Sequence, residues 1–297
     1  METILSIQQL SKSYGTIQAL KNVSFEVPAG SVFGVLGPNG SGKTTLLAIL
    51  LDVLNADSGH YAWFGGSDAT VARKQIGSLL ETPNFYHYLS ARNNLEITAS
   101  IKERGKDDIE KVLQQVGLLE RQHSLFQTFS LGMKQRLAIA NALLGNPKVV
   151  LLDEPTNGLD PAGIAEIRGM IKTMSNMGIT VIMASHLLDE VEKVCTHVAI
   201  LKRGELLVSG SVNDVLSSDD RVEIQSEDIT SLQTLVQQFP NVSQVTTADG
   251  FVYLHGKELN LAQINKQCME QGIILTHLVH KKKNLETKFM ELTQITE

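Results

Sequence analysis

The octapeptide Gly37-Pro38-Asn39-Gly40-Ser41-Gly42-Lys43-Thr44 constrains this chain more than any other stretch. It fits the pattern G-x-x-x-x-G-K-[ST], a glycine-rich loop that wraps phosphate groups between a strand and a helix. Gly37, Gly40 and Gly42 let the backbone turn tightly and aim its N–H groups inward. Lys43 supplies a point charge for the β- and γ-phosphates, and the Thr44 hydroxyl suits Mg²⁺. The flanks agree with this reading. Residues 31–36 form an apolar run expected to be a buried strand, and residues 45–51 form the helix that leaves the loop. The helix N-terminus then faces the phosphates. The alternative, a glycine-rich turn that matches by accident, does not account for that strand–loop–helix order. The loop is therefore expected to bind a nucleoside triphosphate.

Length and composition limit what surrounds it. At 297 residues with 42% hydrophobic and 20% charged content, one large domain, alone or with a small one, can build a proper core. The balance of 26 Lys+Arg against 32 Asp+Glu gives no support to nucleic-acid binding, so none is expected. Lys281-Lys282-Lys283 is too short to change this and reads as a solvated strand end or turn. Cys195 and Cys268 lie far apart with no metal-like spacing, which fits a reducing cytosol. Residues 1–7 are acidic and amphipathic and do not read as a signal peptide. No apolar run approaches the roughly 18–20 residues of a membrane span. If the protein works at a membrane, another chain must supply the membrane part.

Along the chain, residues 4–7 and 23–27 alternate like half-buried strands, with a turn expected at residues 12–15. A turn at 55–59 precedes a strand at 60–64. Helical periodicity dominates about residues 82–146, read as a helical subdomain inserted in an α/β core. Residues 148–152 form a near-continuous apolar run, expected to be a strand buried on both faces. A helix over 161–177, a strand over 180–185 and a strand over 197–201 follow. A linker is expected near residues 217–220. The remaining stretch, 218–297, reads β-α-β-β-α-β-α, which suits a small ferredoxin-like α+β module without a chemical motif.

Asp153 and Glu154 end the apolar run at 148–152. In a phosphate-loop fold that strand end lies beside the Thr44 hydroxyl, so Asp153 is placed to hold Mg²⁺. Glu154 can then polarise a water against the γ-phosphate. The alternative, a cap for the next element, loses ground once the phosphate loop is present. Phe129-Ser130-Leu131-Gly132-Met133 opens another helix and offers a second anion site. A single triphosphate on one monomer has no use for it, whereas a head-to-tail dimer does.

With these motifs the chain, over about residues 1–217, resembles the ATP-binding subunit of ABC transporters. The resemblance implies a P-loop NTPase of α/β class: a RecA-like core with an antiparallel β subdomain and an inserted helical subdomain, followed by the accessory module. It implies ATP and Mg²⁺ as cofactors, with Gly37, Pro38, Asn39, Gly40, Ser41, Gly42, Lys43, Thr44 and Thr45 on the phosphates and Tyr14 stacked on adenine. An ordinary surface tyrosine is the other reading of Tyr14. Residues 129–133 resemble the signature Leu-Ser-Gly-Gly-Gln, so Ser130 and Gly132, with Asp160 from the following D-loop, act in trans on the partner's nucleotide. Leu131 and Met133 depart from that signature, and Met133 cannot reproduce the glutamine's polar contacts. His186 matches the switch histidine, giving Lys43, Glu154 and His186 as the catalytic set. Thr44, Asp153 and Glu81 are the implied metal set.

Glu81 stands where the family usually has glutamine. A glutamate there resembles exporter ATPases of the bacitracin-resistance and lantibiotic-immunity kind, and exchange for glutamine is expected to keep activity within an order of magnitude. Residues 84–89 are rich in aromatics and correspond to part of the groove for a membrane subunit, interior packing being the alternative. Residues 284–293 resemble the ending of ATPases paired with ABC-2 permeases. The implied function is an ATPase that powers export by a separate permease, at the inner face of the membrane, as a homodimer. The competing class is a soluble ABC ATPase acting on a macromolecular partner. It is disfavoured by the single cassette and the lack of a long heptad insert.

Overall fold

The computed structural model describes residues 2–216, 221–256, 259–281 and 284–294, so the expected linker at 217–220 and Lys282-Lys283 lie outside the described residues. The chain divides into two compact units, residues 1–210 and 211–297.

The first unit runs β1 (Thr3–Tyr14), β2 (Ile17–Pro28), β3 (Val32–Leu36), α1 (Lys43–Leu50), β4 (Ser58–Trp63), α2 (Ala69–Lys74), β5 (Ile76–Leu79), α3 (Ala91–Lys102), α4 (Ile109–Gln115) and α5 (Leu131–Leu143). It continues through β6 (Val149–Asp153), α6 (Pro161–Asn176), β7 (Thr180–Ser185), α7 (Leu188–Glu192), β8 (His197–Lys202) and β9 (Glu205–Ser211). Six strands form one sheet in the order β5-β6-β7-β3-β8-β9, with β5, β6, β7, β3 and β8 parallel. All five residues of β3 and of β6 and all six of β7 are buried, as expected of parallel strands covered on both faces. Because these strands run the same way, the chain after β3, after β6 and after β7 leaves from one edge of the sheet. That edge collects the loop at Gly37, the Asp153-Glu154 pair and His186.

A second, antiparallel sheet has the order β2-β1-β4. Helix α1 lies in the core the two sheets share, with Leu46, Leu47, Ile49 and Leu50 all almost fully buried. Burying one such side chain stabilises the fold by about 1.5–3 kcal/mol. The Trp63 indole N–H donates to Leu50 O at 3.1 Å and ties the end of β4 to that helix. The turn expected at residues 12–15 is displaced: β1 continues through Tyr14, and the reversal falls on Gly15-Thr16. Register shifts within β1, with Gln9 at φ +50°, break the alternation from which strand length is read.

The second unit runs α8 (Val212–Leu216), β10 (Arg221–Ser226), α9 (Ile229–Val236), β11 (Val242–Ala248), β12 (Phe251–Gly256), α10 (Leu261–Glu270), β13 (Leu275–Lys281) and α11 (Leu285–Gln294). Its sheet order β11-β12-β10-β13, with the three pairings antiparallel, is the ferredoxin-like arrangement. Val222, Ile224, Val252 and Leu254 meet Leu232 and Val236 in a core of this unit's own.

Candidate active site

The loop is compressed from behind. A Cβ on Gly37 would lie 2.3 Å from Leu201 O, and one on Gly42 would lie 2.4 Å from Ala19 O. Gly42 also sits at φ +104°. The glycines are therefore demanded by the backbones of β8 and β2 as well as by the phosphates they would face. Gly42 caps α1 with no side-chain bond to the helix's first N–H groups, which stay available to an anion. Pro38, Asn39 and Gly40 are exposed at the apex, and Thr45 lies in the first turn of α1. Ser41 is buried with its Oγ unpartnered. Lys43 is only 5% exposed, and its ammonium donates to Gly37 O at 2.8 Å and to Pro38 O at 3.2 Å.

Glu154 follows β6 with a left-handed backbone at φ +47°. Its amide donates to Ala184 O at 3.0 Å, which keeps it in step with β7. A non-glycine residue in this conformation stores strain of order 1–3 kcal/mol and is held there by its surroundings. One carboxylate oxygen lies 3.5 Å from Lys43 Nζ, and the other lies 2.8 Å from His186 Nδ1. The three catalytic candidates thus form one continuous chain of contacts.

Asp153 is 2% exposed. Burial pushes its carboxyl above the usual carboxylate range, while a hydrogen bond from Thr44 works in the opposite direction. One oxygen, Oδ1, is buried with no hydrogen-bond partner. A buried carboxylate oxygen left open beside a hydroxyl is a fitting pair of hard donors for Mg²⁺, which takes one or two protein oxygens and completes its shell with phosphates and water. Glu81 is exposed, with φ +54°, and its charge adds the smallest of the upward pushes on the Asp153 carboxyl. Of the expected metal set, Thr44 and Asp153 are joined by a hydrogen bond, and Glu81 acts on Asp153 through its charge.

Tyr14 is 47% exposed at the tip of the β1–β2 hairpin, paired with Ile17. Ala19, two residues further along β2, presses on Gly42, so the tip lies at the rim of the loop. Lys12 Nζ sits 5.9 Å from the Tyr14 ring centroid.

Ser130 caps α5, its Oγ accepting from Met133 N at 3.3 Å, and Asp160 caps α6, its Oδ1 accepting from Gly163 N at 2.8 Å. These two starts adjoin: a Cβ on Gly158 would lie 3.2 Å from Leu131 Cδ2, and one on Gly132 would lie 4.0 Å from Leu159 Cδ2. No hydrogen bond or ion pair among the described residues links Ser130, Gly132 or Asp160 to the loop of the same chain. Leu131 is 48% exposed on that surface.

The aromatic stretch after Glu81 splits in two. Phe85 and His87 pack on buried Phe126 with centroids 5.1 and 5.6 Å away. Tyr86 and Tyr88 lie edge to face at 6.0 Å and are 52% and 69% exposed. Interior packing therefore accounts for Phe85 and His87, while Tyr86 and Tyr88 stay on the surface. One link had no motif to announce it. Arg168 of α6 donates through Nε and Nη2 to Glu190 Oε2 of α7, at 3.0 and 2.7 Å. This pair joins the helix capped by Asp160 to the helix that follows His186.

Comparison with known proteins points the same way. The family described as ABC transporter matches residues 20–157. An uncharacterized ABC transporter ATP-binding protein of Bacillus subtilis is 36% identical, over 98% of this chain and 96% of its own. The bacitracin transport ATP-binding protein BcrA of Bacillus licheniformis is also 36% identical, over 98% of both chains. A solved dimer of an ATP-binding cassette bound to ADP and Pi superposes with a TM-score of 0.64 at 26% identity, covering 70% of this chain and 98% of that one.

Proposed function

The chain belongs to the family of ABC transporter ATP-binding proteins, which hydrolyse ATP to power transport, and from that premise we propose that two copies close head to tail over two ATP molecules to drive export by a separate permease. Gly37 through Thr45 bind the phosphates of one ATP, and Tyr14 stacks on its adenine. Lys43 exchanges the carbonyls of Gly37 and Pro38 for phosphate oxygens as they enter. The loop amides and the open start of α1 hold those oxygens as charge grows in the transition state.

Glu154 accepts the proton of the attacking water. His186, through Nδ1, fixes the carboxylate that does so. Thr44 and Asp153, with Glu81 beside them, would hold Mg²⁺, which would supply positive charge to offset that of the phosphates. Ser130, Gly132 and Asp160 of the partner subunit complete the site, and their separation from the loop of their own chain supports that role.

Tyr86 and Tyr88 supply an exposed aromatic surface suited to a helix of the permease. The ATPase then sits at the inner face of the membrane through that permease. No helix among the described residues is long and apolar enough to cross a membrane. The relative named for bacitracin transport suggests outward movement of a peptide-like compound.

The observation that carries the catalytic part is the grip on Glu154 from both sides, by Lys43 and His186. Glu154→Gln tests it. Steady hydrolysis should fall about 10²- to 10⁴-fold, as for loss of a general base. Size-exclusion chromatography in ATP should find a trapped dimer. Hydrolysis at the parental rate would refute the assignment.

A further inference from the structure

A cleft of about 430 Å³ opens where the end of α2 meets the end of α3. It sits by Ile76, the first residue of β5, and therefore at the opposite edge of the six-stranded sheet from Asp153 and the loop. Four cations line it, Arg73, Lys74, Lys102 and Arg104, against a single carboxylate, Glu103. The chain as a whole carries a net charge of −6, so this concentration runs against its average.

The cations are unequally engaged. Arg73 pairs with Asp52, and its Nη2 donates to Thr70 Oγ1 at 3.3 Å. Lys102 donates to Asn141 O at 3.1 Å and Leu144 O at 3.5 Å, covering the end of α5. Lys74 and Arg104 have no carboxylate partner among the described residues. Burial, with Arg104 as a like-charged neighbour, pushes the Lys102 ammonium down to about 8. Glu103 is the one carboxylate in the cleft's lining, so the four cations are only partly compensated there.

We propose that this cleft is a second anion site, separate from the nucleotide site, which takes a compact multivalent phosphate. An arginine fork and clustered lysine charges match phosphate oxygens better than they match a lone carboxylate. The phosphate comes either from a free anion or from a phospholipid headgroup.

The test is calorimetric titration of inorganic pyrophosphate into the full chain and into the Lys74→Ala/Arg104→Ala variant. The parent should give two binding events, one at the phosphate loop and one at the cleft. The variant should keep the first, which also reports that it is folded, and lose or weaken the second at least tenfold. Identical titrations, or a single event in both proteins, would overturn the proposal. Flotation with phosphatidylcholine vesicles containing phosphatidylglycerol separates the sources. Flotation lost in the variant assigns the headgroup, and no flotation of either protein, with the pyrophosphate difference intact, assigns the free anion. Equal flotation of both, with equal titrations, contradicts the site.

Discussion

His186 Nδ1 lies 2.8 Å from Oε2 of Glu154, while Lys43 Nζ lies 3.5 Å from the other oxygen of the same carboxylate. Glu154 is thereby held between the end of β7 and the start of α1. Its left-handed backbone turns the side chain out of line with β6 and toward both partners. Two anchors on one carboxylate limit its rotamers, so the geometry for water activation is set before chemistry begins.

That restraint predicts the behaviour of His186→Ala. Losing the Nδ1 contact frees the Glu154 carboxylate and leaves the loop intact. Steady-state kinetics should record kcat lower by about 10²-fold, the cost of misplacing a catalytic group by an ångström or so, with KM changed far less. A variant with unaltered kcat would mean that the contact has no part in catalysis.

Asp153 predicts an opposition between stability and activity. Its carboxyl is raised by burial, so the folded chain binds that proton more tightly than the unfolded chain does. The associated stability is present below the ordinary value of 3.8 and is lost as pH rises through the higher folded value. At neutral pH the charge is a net cost. Asp153→Asn should therefore raise the thermal midpoint in nucleotide-free, metal-free buffer at pH 7.5, and the gain should shrink in acid. Mg²⁺-dependent hydrolysis should disappear. A lower midpoint at pH 7.5 would contradict this account of the unpartnered Oδ1.

The Arg168–Glu190 pair predicts a positioning effect. It joins α6, whose cap is Asp160, to α7, which begins just after His186. Arg168→Ala should lower kcat roughly tenfold with KM nearly unchanged, through displacement of His186. The exchanged pair Arg168→Glu/Glu190→Arg should recover much of the loss. A purely structural role would lower the thermal midpoint and leave kcat untouched.

The loop, the buried strand ending in Asp153 and the helix start at Ser130 were legible because each is a local pattern. Glycine spacing, an unbroken apolar run and a capping serine followed by a helix are all written within a dozen residues. The ferredoxin-like order of β10 to β13 was legible for the same reason. The lengths of β1 and β2 were not, because the positive φ at Gln9 and the register shifts in β1 erase its period of two. The division of the aromatic stretch was hidden too. Whether Phe85 or Tyr86 faces inward depends on Phe126, some forty residues away. Arg168 and Glu190 meet only because α6 and α7 pack together, a long-range fact with no local signature.

A site built from two subunits means that hydrolysis needs a second copy of the chain. Lys43→Ala removes the phosphate lysine from a subunit's own loop, and Gly132→Asp places a charge on the surface offered to the partner's loop. Each variant alone should be inactive, because every site in either homodimer is damaged. Mixed one to one, half of the dimers are hybrids, each with one intact composite site, so ATPase activity should return to about a quarter of the parental rate. A mixture no more active than its two components would contradict a site built across the dimer.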